Sequence, residues 1–496
     1  MTNKMRTILY ISAVFILTYL PTPAFTQPGT LDNTFGIGGI VKTSQGNFGD
    51  KSNSMAIQSD GKILYGGYTQ SSFTNSDFAL VRCNDDGSLD TSFGIGGKVK
   101  TNIENRSEGQ SIAIQANGKI LLGGYSHWFI NLVRYNSNGS LDTNFGTGGK
   151  VITDIEGYYS EKCKSLAIKS NGKILLGGYG QENGNDKSYF ILAQYNDDGT
   201  LDSTFGIGGK VIGRAGKANS MMIQSDGKIL LGGSYNFNFA LVRYHANGTL
   251  DSTFGTGGEV ITAVGSSSEG NALSIQSDGK IVLGGYADAC FALVRYNNDG
   301  TLDNTFGIGG KVIGSPGKAN TLTIQSDGKI LIGGASNSTI ALVRYNVNGT
   351  LDSTFGVGGK VITVVDSSSE GNSLRVQSDG KIVLAGYSYN GTKTDMTLLR
   401  YDADAVGIEE TDSKKLVSRI YPNPFNSSVT VQFNTPLHNA ALIIYTVSGQ
   451  IVEQITNFSG HEIQLSRKNL KSGIYFLCLK EAYKIIAVEK LVISDN

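Results

Sequence analysis

Four histidines, His127, His245, His438 and His461, are the first place to look for acid–base or metal chemistry. No two stand at the spacing that puts a pair of ligands on one metal. The Gly-x-Ser-x-Gly turn of serine hydrolases and the His-Glu-x-x-His pair of zinc hydrolases do not occur in the sequence. The cysteines Cys83, Cys163, Cys290 and Cys478 lack C-x-x-C spacing, so neither a disulfide framework nor a zinc site is expected. Phe93 to Lys98 reads FGIGGK, but a phosphate loop would need glycine at Ser92 and serine or threonine at Val99. Stretches such as Asn196-Asp197-Asp198-Gly199 suggest calcium loops, yet Asn136-Ser137-Asn138 and His245-Ala246-Asn247 fill the same place elsewhere. Turn chemistry explains them better than metal binding.

Other chemistry-bearing residues recur, and what they recur in must position them. LDxxFGxGG starts at Leu31, Leu89, Leu141, Leu201, Leu250, Leu302 and Leu351. Between copies stand a Ser-x-Ala-Ile-Gln type strand, a Gly-Lys-Ile-Leu-Leu-Gly-Gly-Tyr strand and an Ala-Leu-Val-Arg-Tyr strand, with a period of roughly 50 to 60 residues. The Ser-Asp-Gly or Asn-Gly links at Gly61, Gly118, Gly172, Gly227, Gly279, Gly328 and Gly380 are hairpin turns. With 66 glycines, 7 prolines and abundant β-branched residues, the chain suits many short strands. The expected fold is all-β: a seven-bladed β-propeller of four-stranded antiparallel blades, plus a small C-terminal β-sandwich. The glycine pairs such as Gly123-Gly124 are expected to admit a close neighbour from the next blade. The fourth-strand type comes first, at Gly39 to Thr43, and the third-strand type last, at Thr397 to Tyr401. The N-terminal strand should therefore complete the last blade.

LDxTFGxGGKV, SDGKILLGGY and ALVRYNxDG together resemble the delta-60 repeat, a bacterial family whose resemblance implies a β-propeller and no particular activity. The resemblance covers Thr30 to Asp402 in all seven copies.

Repetition also sorts the functional candidates. An arginine of the third strand (Arg82, Arg134, Arg243, Arg295, Arg344, Arg400) and the aspartate of LDxxFG accompany nearly every unit, with Gln194 the one exception to the arginine. A pair needed once per blade is a structural bridge. One slot of the first strand holds Lys51, Glu108, Lys162, Lys217, Glu269, Lys318 and Glu370, a ring around the channel mouth if that strand is innermost. These charges are expected to neutralise one another between blades; a polar ligand on the axis is the alternative. The second-to-third and fourth-to-first connections should share one face and vary in length, where binding is usually built. They carry Phe73, His127, Trp128, Phe129, Tyr158, Tyr159, Tyr235, Phe237 and Tyr389, which suit sugar stacking or peptide anchoring.

Lys4 and Arg6, the apolar run Ile8 to Leu20 and the small-residue segment before Gln27 predict a signal peptide over 1–26. The propeller is expected over 27–403, a polar linker over 404–418 and a second domain over 419–496. No membrane helix is expected in the mature chain. In the second domain Tyr421-Pro422-Asn423-Pro424-Phe425, a turn at Gly449, and Ser472-Gly473-Ile474-Tyr475-Phe476 closely resemble the type A C-terminal sorting domain of the type IX secretion system. That resemblance implies a Bacteroidetes-type host, passage through the periplasm, engagement of the secretion machinery, and release from or attachment to the outer surface. Lys plus Arg and Asp plus Glu are equal at 42 each, so no nucleic-acid partner is expected. The combined expectation is a monomeric, secreted or surface-attached, non-catalytic module for a glycan or protein, without cofactor. An extracellular polysaccharide lyase or hydrolase using Glu108, Glu269 and Glu370, and a structural or adhesive surface protein, are the alternatives.

Overall fold

The computed structural model describes residues 27–72, 74–184, 187–403, 417–446, 451–481 and 484–495. The expected signal peptide, Phe73, residues 404–416 of the expected 404–418 linker and Gly449 lie outside them. The chain divides into two compact units, Met1–Ala405 and Val406–Asn496.

Seven four-stranded antiparallel blades build the first unit. Blade 1 runs Gly49–Ile57, Ile63–Gln70, Ser76–Cys83 and Lys98–Thr101; blade 2 runs Ser107–Ile114, Ile120–Ser126, Phe129–Tyr135 and Lys150–Thr153. Five further blades follow, and blade 7, with Ser368–Val376, Ile382–Tyr389 and Thr394–Tyr401, takes its fourth strand from Ile40–Thr43. Its register sets Ile40 opposite Leu399 and Thr43 opposite Met396, so the N-terminal strand closes the ring as the strand order requires.

First strands touch first strands all the way round, which makes them innermost. Between blades lie the cores: Leu64, Phe78 and Leu80 of blade 1 pack on Ile112, Leu122 and Val133 of blade 2. Each unit thus leaves one sheet face unfinished until its neighbour covers it.

Every inner strand carries a β-bulge at the same place, for example between Ser52 and Ser54 and between Gly371 and Ser373. A bulge turns one side chain out of the alternating pattern. Here that residue is Asn53, Gln110, Lys164, Asn219, Asn271, Asn320 or Asn372. The bulge also explains the glycine pairs, in part against expectation. A Cβ on Gly123 would meet Leu176 of the next blade at 3.0 Å, as anticipated, but one on Gly124 would meet Glu108 O of its own blade at 2.1 Å. The second glycine therefore yields first to the bulged strand beside it, with Phe78 of the neighbouring blade next at 2.8 Å.

The second unit hangs on one long strand, Ser428–Thr446, which pairs with Val417–Tyr421 along its first half and Gly473–Glu481 along its second. Ile451–Ser466 follows it from end to end, and Lys484–Ile493 adds the last edge. Register shifts near Leu437 and Ala440 let this strand serve both halves around Val429, Val431, Leu442, Leu465, Leu477 and Leu491.

Candidate ligand-binding face and axial ring

The turns that join fourth to first strands meet those joining second to third. Ser268 N donates to Phe237 O at 2.7 Å and Ser369 N to Ser338 O at 2.8 Å. The opposite end is built from the repeated arginine–aspartate pair. Arg82 Nε donates to Asp90 at 2.7 Å, its Nη1 to Ser137 O of the next blade at 2.6 Å, and its guanidinium covers Phe93 at 4.5 Å. The same clamp recurs at Arg134, Arg243, Arg295, Arg344 and Arg400, the last reaching Asp32 and the turn at Asp85 across the closing seam. Lys62 joins the Asp90 carboxylate at 2.9 Å. Burial alone would raise that carboxyl, but Ser92, Lys62 and Arg82 together hold it well below the usual range. The pair is structural, and the Asx loops are as well: Asp198 Oδ1 accepts from Thr200 N at 2.9 Å and Thr200 Oγ1 at 2.7 Å.

Blade 3 solves the same problem differently, a feature missed by sequence reasoning. Gln194 binds Asp202 at 2.7 Å, and the cation has moved to Lys169, where six blades have glutamine. Lys169 Nζ binds Gln194 Oε1 and Ala246 O, the latter at 2.6 Å, and lies 5.0 Å from the Phe205 ring centre. Comparing two repeat columns at once would have revealed the exchange.

On the variable face the candidate aromatics do not form one set. His127 and Trp128 meet edge to face at 4.2 Å, and Trp128 lies 6.1 Å from Tyr159, whose strand belongs to blade 3. Tyr158 contacts Tyr189 at 5.8 Å, a residue the sequence reading had not singled out. Trp128 is 46% exposed. Phe129 begins the next strand and is half-buried. Tyr235 and the well exposed Phe237 belong to the blade 4 hairpin, while Tyr389 on blade 7 donates its hydroxyl to Gly391 O at 2.8 Å. Beneath the patch, Glu161 is fully buried and its backbone N–H points at Trp128 O, 3.4 Å away. Its Oε1 accepts from Ile155 N at 2.6 Å, while Oε2 has no partner. Burial, with Asp154 nearby, pushes this carboxyl up to about 8.

The charged slot does ring the axis, but its members do not pair directly as expected. No ion pair joins any two of the seven among the described residues; a tyrosine stands between them instead. Tyr125 donates to Glu108 at 2.6 Å while Lys162 of blade 3 lies 4.8 Å above its ring. Glu269, Tyr286 and Lys318 repeat the arrangement, as do Glu370, Tyr387 and Lys51. Lys217 covers Tyr179 at 5.8 Å without a glutamate behind it. The register places five of the slots opposite the tyrosine that follows the glycine pair, as Glu108 is opposite Tyr125, while Lys217 and Lys318 stand opposite Ser234 and Ala335 and reach the tyrosine of the preceding blade. Asn219 and Asn320 add donors to Glu269 and Glu370 at 3.1 and 2.6 Å.

In the second unit the sorting motif clasps the final strand. Asn423 donates to Lys490 O at 2.8 Å and accepts from Val492 N at 2.7 Å. Phe425 is buried beside Ile493, and the Tyr475 hydroxyl donates to Lys471 O at 2.9 Å. Tyr421-Pro422 and Asn423-Pro424 are cis, and Gly473 has φ of +155°. No helix among the described residues is long and apolar enough to cross a membrane.

Comparisons with known proteins follow this division. Seven segments, 58–93, 115–145, 169–205, 224–254, 276–306, 325–355 and 377–404, match the family described as domain of unknown function (DUF5122) beta-propeller. Residues 419–494 match the secretion system C-terminal sorting domain. No curated protein matches the chain. Among solved structures, a catalytically inactive virginiamycin B lyase from Staphylococcus aureus is 13% identical over 73% of this chain and 98% of its own, with a TM-score of 0.42. Polysaccharide lyase Uly1 is 12% identical over 71% of this chain and 90% of its own, with a TM-score of 0.41. The chain carries a DUF5122 β-propeller repeat region and, after it, a sorting domain that marks it for export by the type IX system to the cell surface or extracellular space.

Proposed function

We propose that the exported propeller is a non-catalytic binding module whose ligand is a glycan held on the His127, Trp128 and Tyr159 patch. The observation that carries this is the ring cluster spanning two blades with an exposed indole at its centre. Aromatic faces of this kind stack on the apolar faces of sugar rings, and the two loops sit on a scaffold whose other parts are repeated. Support for a non-catalytic role comes from the axial glutamates. Each is tied to a tyrosine hydroxyl, which suits a wall of fixed charges better than an acid and base that exchange protons with a substrate.

Trp128 is the sole tryptophan of the chain, so its fluorescence reports on this patch alone. Titrating the full chain with hits from a glycan array should shift or quench that emission saturably. Trp128→Ala should weaken binding at least tenfold, measured by calorimetry. Array hits that bind the variant as well as the parent would refute the assignment.

A further inference from the structure

In five blades the bulged residue of the inner strand is asparagine, and its amide locks onto the next blade. Asn53 donates to Gly109 O at 2.8 Å, Asn219 to Gly270 O at 3.0 Å, Asn271 to Ala319 O at 2.9 Å, Asn320 to Gly371 O at 3.1 Å and Asn372 to Ser52 O at 3.0 Å. This inner ring is interrupted at two consecutive blades, where Gln110 and Lys164 take the position. The Lys164 ammonium has Gln110 Oε1 at 3.3 Å and the Tyr125 ring at 5.6 Å, and no ion-pair partner among the described residues. A lysine here gives up the lock onto the following blade and reaches back to blade 2 instead, where Gln110 and Tyr125 offer it no carboxylate at ion-pair distance.

Its surroundings make the loss more pointed. Of the cations on the inner strands, Lys51, Lys162 and Lys318 share their tyrosines with the three glutamates. Lys164 crowds onto the same Tyr125 as Lys162, so two lysines face the single Glu108, and Lys217 faces no glutamate at all. Arg375 also stands on an inner strand, where the other blades carry Ala56, Ala113, Ala167, Met222, Ser274 and Thr323. Its guanidinium donates to Leu374 O at 2.8 Å and is otherwise exposed. Six cations, Lys51, Lys162, Lys164, Lys217, Lys318 and Arg375, thus face three glutamates, Glu108, Glu269 and Glu370, an excess of three positive charges in the space walled by the inner strands. Such walls focus the field and raise its attraction for an anion. Burial first and then the neighbouring Lys162 push the Lys164 ammonium toward losing its proton, while Glu108 and Glu269 oppose this only in part.

We infer that the axial channel is an anion-binding site in which Lys164, with Gln110 and Lys162 beside it, grips an oxyanion of the carboxylate, sulfate or phosphate class. Lys217 and Arg375 supply the remaining charge. The site is distinct from the aromatic patch and does not depend on the glycan reading.

Lys164→Asn restores the residue of five other blades, so it removes the cation while offering the fold its missing lock. The full chain and this variant are titrated by calorimetry at constant ionic strength with sodium sulfate, sodium phosphate and digalacturonate. The parent should bind at least one of them saturably, one per chain, and Lys164→Asn at least tenfold more weakly with an unchanged or raised Tm. Binding of the inorganic ions alone identifies a free oxyanion as the ligand; binding of digalacturonate alone identifies a carboxylate carried on a sugar. Trp128→Ala should leave anion binding intact, which keeps this test separate from that of the patch. Absence of saturable binding to all three, or equal binding by Lys164→Asn, would overturn the inference.

Discussion

Blade 3 offers a double-mutant cycle written into the repeat itself. Lys169→Gln removes a charged hydrogen bond to Ala246 O and a cation over Phe205. A hydrogen bond to a charged group is worth about 1.5 to 3 kcal/mol and an exposed cation–π contact about 0.5 to 1. Lys169 is half-buried, so the low end applies and the cost should be about 2 kcal/mol. Gln194→Arg brings a guanidinium against the Lys169 ammonium. Two like charges about 4 Å apart repel by about 4 kcal/mol at an effective dielectric near 20, and the new bond to Asp202, worth about 2 kcal/mol, offsets half of this. Together the two changes rebuild the clamp of the other six blades, so their costs should largely cancel. The expected coupling is about 3 kcal/mol in favour of the double variant. Thermal unfolding followed by circular dichroism would show each single variant about 4 °C below the parent and the double variant within about 2 °C of it, taking about 2 °C per kcal/mol for a domain of this size. If the double variant loses as much as the two singles added, the exchange of charge between strands is not what balances the blade.

Two other outcomes follow from named groups. Glu161 has a folded-state value near 8, well above its unfolded one, so it holds a proton that the unfolded chain releases. Its contribution is fully present below about pH 4.3 and is lost as pH rises through 8, so the parent should lose stability over that interval and Glu161→Gln should lose less, as read from urea midpoints at pH 5, 7 and 9. Deleting 27–43 removes the strand that completes blade 7, leaving Thr394–Tyr401 as an open edge. The Tm should fall by at least about 5 °C and size-exclusion chromatography should show larger assemblies, since unpaired edges recruit other chains; an unchanged monomer would refute the closure.

Much of this was legible because the same problem is solved seven times. Hairpins, blade phase and the closing strand follow from the order of the repeated elements, and the arginine–aspartate clamp from its regularity. The bulge was not legible. Asn53 and its equivalents sit in the middle of a strand, where asparagine has poor propensity, and only the register shift shows that this residue leaves the alternating pattern. For the same reason the nearest neighbour of the second glycine, the bulged strand of its own blade, is not visible in the sequence, nor are the tyrosines that stand between the charges of the ring. Sequence groups the aromatic candidates by the turns that carry them. It had no means of telling that Trp128 leans toward Tyr159 whereas Phe237 and Tyr389 stand on separate blades, because loop direction is set by local turn geometry.

The closing seam sets an order of events during synthesis. Ile40–Thr43 leaves the ribosome early, and its partner Thr394–Tyr401 only after all the other blades. Phe35 is buried beneath Arg400, and Asp32 waits for the same side chain. Pairings this distant along the chain form slowly. Any product that stops short of Tyr401 keeps both ends raw, and the sorting domain comes after that point. A chain that presents the export signal has therefore already been read through its own clasp, so Ile40–Thr43 and its partner strand together certify the length of the whole propeller.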